Sequence, residues 1–222
     1  MTKKNRSSKN DWIDLTVPMG EDTPSWPGDQ GFRRIEVADM DDGDDHNLTR
    51  VETSLHFGTH MDAPLHFIAD GASIDRLPVE LFFGRAQLID LSEAEGDIGR
   101  EELEGKVEEG TRRLLIKTGN SDIVRDNVFH ETYAGVKPEG VRLLVEKGVE
   151  LLGYDYFSFG PFGELGLQAH RVFLGGPFPK AALEGVDLSG LEEGEYELNC
   201  FPLLVSGAEG APARALVRGP LA

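Results

Sequence analysis

Apolar and polar positions along the chain fall into short runs. Alternating or continuous apolar stretches predict strands in DWIDLTVP (11–18), FRRIEVA (32–38), NLTRVETSLH (47–56), GRAQLIDLS (84–92) and RRLLIKTG (112–119). Two later stretches, within EYELNCFPLLVSG (195–207) and ARALVRG (213–219), predict strands that close the fold. The clearest unit is KPEGVRLLVEKGVELLGYD (137–155). Pro138 suits the first turn of a helix, Val141, Leu144 and Val145 line its face, and Gly148 stops it. VELLGYD then reads as a buried strand. A second helix is predicted in FGELGLQAHRVFLGG (162–176), from apolar residues at 165, 169, 172 and 173, with Gly175-Gly176 as its end. His170 lies beside that apolar face. PVELFFG predicts a short helix from Pro78, and residues 92–111 read as acidic, glycine-punctuated surface. Strands and helices mix without strict βαβ alternation. The pattern therefore predicts an α/β fold, a single mixed domain over residues 11–222 with a sizeable sheet.

Composition narrows the function classes. The formal charge of −18 predicts no nucleic-acid partner, because no basic stripe is available to neutralise phosphates. No apolar run reaches 18 residues, which predicts no membrane span. Residues 1–10, MTKKNRSSKN, are basic and polar with no apolar segment after them. They predict a disordered tail and not a secretory signal. Cys200 is the only cysteine, so no intrachain disulfide forms, in keeping with a cytoplasmic location. Its apolar setting, LNCFPLLV, points to packing. The run from Asp39 to Asp45 reads as a solvated loop, without the glutamate that a calcium loop needs.

The chemistry concentrates in HFGTHMDAPLH, residues 56–66. Three of the six histidines, His56, His60 and His66, stand there with Asp62. Neutral imidazole and carboxylate together suit zinc and other first-row ions. Gly58, Thr59 and Pro64 disfavour a continuous helix, so the ligands are expected where a strand ends and a tight loop begins. Two imidazoles and one carboxylate leave an open coordination position, as catalytic sites do. Trp26 precedes Pro27-Gly28, a turn signal that holds it extended, either walling a pocket or capping a core edge. Trp26, Phe67 and Phe157 are the candidates for an aromatic substrate pocket, with Phe32 and Phe159 beside them; plain core packing is the alternative for each.

The run HFGTHMDAPLHF resembles the signature of the metal-dependent cyclase family, which includes bacterial kynurenine formamidase and related amide and lactam hydrolases. DLTVPMGEDTPSWPGD, GRAQLIDLS, LLIKTG, GVELLGYDYFSF and ELNCFPLLVSGAEGAPARAL extend the resemblance from Asp11 to about Val217. It implies a swivelling β/β/α fold carrying two divalent ions, zinc or manganese, in each subunit. It implies His56, His60 and Asp62 as ligands, with Asp62 able to bridge, and His170 and Glu184 completing the site. It implies His66 as the catalytic acid/base just outside the ligand set. The segment from His170 to Glu184 is about two residues longer than the family pattern. The implied activity is hydrolysis of a small N-formyl arylamine or cyclic amide by metal-activated water. The alternatives are an isatin-type lactam or lactone hydrolase, a cyclase running the reverse condensation, or a non-catalytic metal-binding protein. The implied partners are a small-molecule substrate and further copies of the chain, as a homodimer or homotetramer.

Overall fold

The computed structural model describes residues 11–177 and 179–221; the predicted tail at 1–10 lies outside them. Its centre is a run of parallel strands, β5 (Phe83–Asp90), β6 (Arg113–Lys117), β7 (Leu151–Tyr154) and β8 (Ala181–Glu184), the last three almost wholly buried. Such strands are buried on both faces, which is why RLLIK and LLGY carry no polar alternation. On one side β9 (Gly194–Asn199) pairs antiparallel with β5, followed by β11 (Leu216–Arg218) and β1 (Ile13–Asp14). On the other side β4 (His60–Asp62) pairs antiparallel with β8, and β10 (Gly210–Pro212) with β4. These strands form one nine-stranded mixed sheet, and the α/β class is as the sequence predicts.

Helix α1 (Arg100–Leu103) lies between β5 and β6, α2 (Pro138–Glu146) between β6 and β7, and α3 (Glu164–Leu174) between β7 and β8. Pro138 opens α2, and Gly148, at φ +86°, takes the left-handed conformation after its end. Val141, Leu143 and Leu144 of α2 pack with Ala169 and Phe173 of α3 over Leu114, Ile116, Leu152 and Ala182. The opposite face of the sheet carries Leu115, Leu151, Ala181 and Leu183 over Ile74, Leu77 and Leu81. Each fully buried side chain of this kind contributes about 1.5–3 kcal/mol. Gly153 is needed between these layers, because a Cβ there would stand 2.3 Å from Leu115 Cδ2.

Several local readings change in the structure. The helix expected from Pro78 is a single 3₁₀ turn, Val79–Leu81. Residues 92–111 are not all surface, since Ile98, Leu103 and Val107 enter the core beneath α2. The strand expected over 47–56 is β3 (Leu48–Glu52), and it stops before the histidines. It pairs with β2 (Arg33–Ala38), giving a separate two-stranded ribbon with neither face buried. On α3, Leu165 is exposed, and the buried face is Gly166, Ala169, His170, Phe173 and Leu174. Among the described residues no helix is long and apolar enough to cross a membrane.

Candidate metal centre

Strand alternation sets which side chains meet. Met61 of β4 and Leu183 of β8 point into the lower core, so His60, Asp62 and Glu184 emerge on the helix-covered face. His60 and Glu184 are directly paired in the β4–β8 register. α3 lies over the same face and brings His170 down from its buried side. Thr59 anchors the entry to β4, donating to Gly185 O and accepting the Val17 N–H at 2.8 Å. His56 lies in the loop before β4, and His66 ends the 3₁₀ turn Pro64–His66 after it.

These side chains gather around the two oxygens of Asp62. Oδ1 lies 2.7 Å from His56 Nδ1 and 3.5 Å from His60 Nε2. Oδ2 lies 3.9 Å from both His170 Nε2 and His66 Nε2. Glu184 spans the same two sides, with Oε2 3.3 Å from His60 Nε2 and Oε1 3.2 Å from His170 Nε2. The Phe159 N–H donates to Glu184 Oε1 at 2.7 Å and fixes that carboxylate. His66 stacks on His56 with ring centroids 3.9 Å apart and keeps 31% of its side chain exposed.

Burial opposes charge on Asp62, Glu184, His56, His170 and His66, and their contacts overcome it in all but the last. Desolvation alone would raise Asp62, but His56, His66 and His60 around it hold it well below the usual carboxylate range. Burial would lower His56, yet the Asp62 carboxylate lifts it to about 9. Burial and the neighbouring Asp62 charge would raise Glu184, but hydrogen bonds with His170 and His60 keep it lowered. His170 is raised by Glu184 against its burial. His66 goes the other way, because burial, with His56 and His170 nearby, outweighs the pull of Asp62.

This donor set fits a divalent ion. Asp62 and Glu184 are buried carboxylates, and among the described residues no lysine or arginine lines the cavity above them. Two groups of potential donors share Asp62: His60 with Glu184, and His56 with His66. His56 Nε2 is also buried without a hydrogen-bond partner. Three imidazoles aim one ring nitrogen at the carboxylates and the other at an acceptor outside the cluster. His60 Nδ1 faces Gly58 O at 3.0 Å, His170 Nδ1 faces Gly166 O at 2.7 Å, and His56 Nε2 faces Glu209 Oε1 at 3.5 Å.

The cavity has a volume of about 320 Å³ and opens over these groups. Trp26, Phe67 and Phe157 all line it. Trp26 is steadied by Phe129 and Phe162, and Phe67 stacks on His170. Phe32 instead stacks on Phe57, and Phe159 packs in the core against His170 and Phe173. Three lining residues carry no signal in the one-dimensional pattern: Asp29 in the turn after Trp26, Ser158 beside Phe157, and Leu167 in the first turns of α3.

The Cyclase family model, described as a putative cyclase, matches residues 13–161. The chain is 35% identical to a kynurenine formamidase of Bacillus cereus over 210 residues, covering 94% of this chain and 98% of that protein. It is 34% identical to the kynurenine formamidase of Bacillus anthracis, covering 93% and 97%. Among solved structures, isatin hydrolase A from Labrenzia aggregata bound to benzyl benzoate superposes with a TM-score of 0.78 at 26% identity, covering 96% of this chain and 95% of that one. A structure described as a potential metal-dependent hydrolase with cyclase activity superposes with a TM-score of 0.81 at 27% identity, covering 93% and 96%. Spanning nearly the full length of these relatives, with their fold and a buried cluster of carboxylates and imidazoles, the chain belongs to the Cyclase family of metal-dependent hydrolases.

Proposed function

We propose that this protein is an amide hydrolase acting on a small N-formyl arylamine, as the kynurenine formamidases it is similar to are named for doing. The observation that carries the reading is the division of Asp62, one oxygen toward His56 and His60 and the other toward His170 and the more exposed His66, with Glu184 reaching both sides. His56, His60 and Asp62 would hold one divalent ion, and Asp62, His170 and Glu184 a second, either zinc or manganese. Bound there, such ions supply Lewis acidity and a water acidified toward neutral pH.

The chain's own groups do the rest. The aryl ring of the substrate lies between Trp26, Phe67, Phe157 and Leu167, where apolar walls exclude bulk water and leave the formyl carbon over the carboxylates. His66 is the most exposed imidazole of the cluster, and its proton affinity is lowered where those of His56 and His170 are raised. It is suited to take a proton from the attacking water and deliver it to the departing amine nitrogen as the C–N bond breaks. Formate and a free arylamine result. Assembly as a homodimer or homotetramer in the cytoplasm belongs to the same reading. The β2–β3 ribbon supports assembly, since Val37, Leu48 and Val51 stand exposed on it.

The test is a steady-state assay of zinc- and manganese-loaded protein on formanilides, lactams and lactones. Formanilides turned over with the highest kcat/KM bear the reading out. Preference for a lactam transfers it to isatin-type hydrolysis on the same site, the second reading favoured by the likeness to isatin hydrolase A. Activity on none of them contradicts it.

A further inference from the structure

We infer that Glu209 is a positioning residue: it holds the ring proton of His56 on Nε2 and so presents the Nδ1 lone pair to the metal site. The inference rests on the two-ion reading above, in which His56 is a ligand. An imidazole that binds a metal through one nitrogen carries its proton on the other, and that proton needs an acceptor to fix the tautomer and the ring plane. His60 and His170 meet this need with main-chain carbonyls, Gly58 O and Gly166 O. His56 has no such carbonyl. Its Nδ1 points inward at Asp62, and its Nε2 is buried without a hydrogen-bond partner. The carboxylate facing that nitrogen is Glu209, with Oε1 at 3.5 Å.

The backbone holds Glu209 at this place. Its carbonyl accepts the Ala63 N–H at 2.8 Å, and the next residue, Gly210, pairs with Asp62 in the β4–β10 register. Gly210 also gives the ring its seat. A Cβ there would stand 2.7 Å from His56 Cε1 and 3.2 Å from Nε2. The imidazole therefore lies against bare backbone, with the Glu209 side chain at its outer edge. That side chain is 43% exposed, so it is free to close the remaining few tenths of an ångström once Nε2 carries a proton. The strand that carries Asp62 is thereby tied, through its neighbour β10, to the residue that orients a second ligand.

Zinc affinity of the full chain, measured by competition with a chromogenic chelator, tests this together with long-range ¹⁵N–¹H spectra of the histidines in the zinc-loaded protein. Glu209→Ala is expected to weaken zinc binding about ten- to hundredfold. Glu209→Gln keeps an acceptor oxygen and is expected to stay within about threefold of the parent. Both the parent and the Gln variant should show His56 as the Nε2–H tautomer. Glu209→Ala binding zinc as tightly as the parent would overturn the inference, and so would Glu209→Gln falling as far as Ala or an Nδ1–H tautomer in the loaded parent. His56→Ala, run alongside, separates the two levels. If it leaves zinc content unchanged, the two-ion reading itself fails; if it loses zinc while Glu209→Ala does not, only the role of Glu209 fails.

Discussion

His60 and Glu184 face each other as cross-strand partners in the antiparallel β4–β8 pairing, with Nε2 3.3 Å from Oε2. The same carboxylate accepts the Phe159 N–H and contacts His170. Replacing Glu184 by Ala removes a group that reaches both sides of Asp62. Elemental analysis should then find at least one ion per chain fewer than in the parent, and kcat should fall by about a hundredfold or more. Unchanged metal content in this variant would contradict the ligand assignment.

His66→Ala should keep its metal. Its side chain is 31% exposed, against 6% for His170, and its ring stacks on His56. Loss of a proton donor matters most where the leaving group is poor. The variant should therefore lose about 10²–10⁴-fold in kcat on an alkyl formamide and much less on an activated formyl ester. Equal losses on both substrates, or loss of metal, would make His66 a ligand or a prop.

The metal-free protein should lose stability as pH rises from 6.5 to 8. His56 is raised from 6.5 to about 9, so the folded state holds a proton that the unfolded chain releases. Its contribution is complete below 6.5 and disappears as pH passes through 9. His170, raised by Glu184, acts in the same sense, as does Asp155, pushed up to about 7 by burial. Burial holds Lys180 down at about 8 and lowers His66 as well, so these two oppose the loss, His66 at the acid end of the interval and Lys180 only as pH nears 8. One proton at about 1.4 kcal/mol per pH unit gives about 2 kcal/mol over the interval. Urea unfolding of chelator-treated protein at pH 6.5 and 8 measures it, and a rise in stability would contradict the His56–Asp62 pair.

Trp26 is braced edge-on by Phe129 at 5.1 Å between ring centroids and lines the cavity. Trp26→Ala should raise KM for a formanilide about tenfold, a loss of about 1–1.5 kcal/mol of ring contact. It should leave KM for an alkyl formamide nearly unchanged. Equal effects on the two would place Trp26 in the framework and not against the substrate.

Much of the site was legible because its donors are close in sequence. His56, His60, Asp62 and His66 fall within one loop and a three-residue strand, so their residue types alone pointed to a metal. Glu184 and His170 reach them only through the β4–β8 register and the seating of α3, which are long-range pairings that a local pattern does not encode. The resemblance to a family carried those two. α3 shows where periodicity falls short: Ala169 and Phe173 lie on the buried face and Leu165 does not, while Gly166 and His170, which carry no apolar signal, complete that face. Residue types in the β2–β3 ribbon predict two strands, but nothing local to RRIEVA or LTRVE says that the pair stands apart from the main sheet. Glu209 carried no signal at all, since nothing in AEGAP marks a carboxylate that faces an imidazole.

Anomalous diffraction from zinc-soaked crystals, with data on both sides of the zinc edge, counts the ions and places them against Asp62. Two peaks are expected to flank Asp62, one against His56 and His60, the other against His170 and Glu184. A single peak, or a second one remote from Asp62, would contradict the two-ion reading.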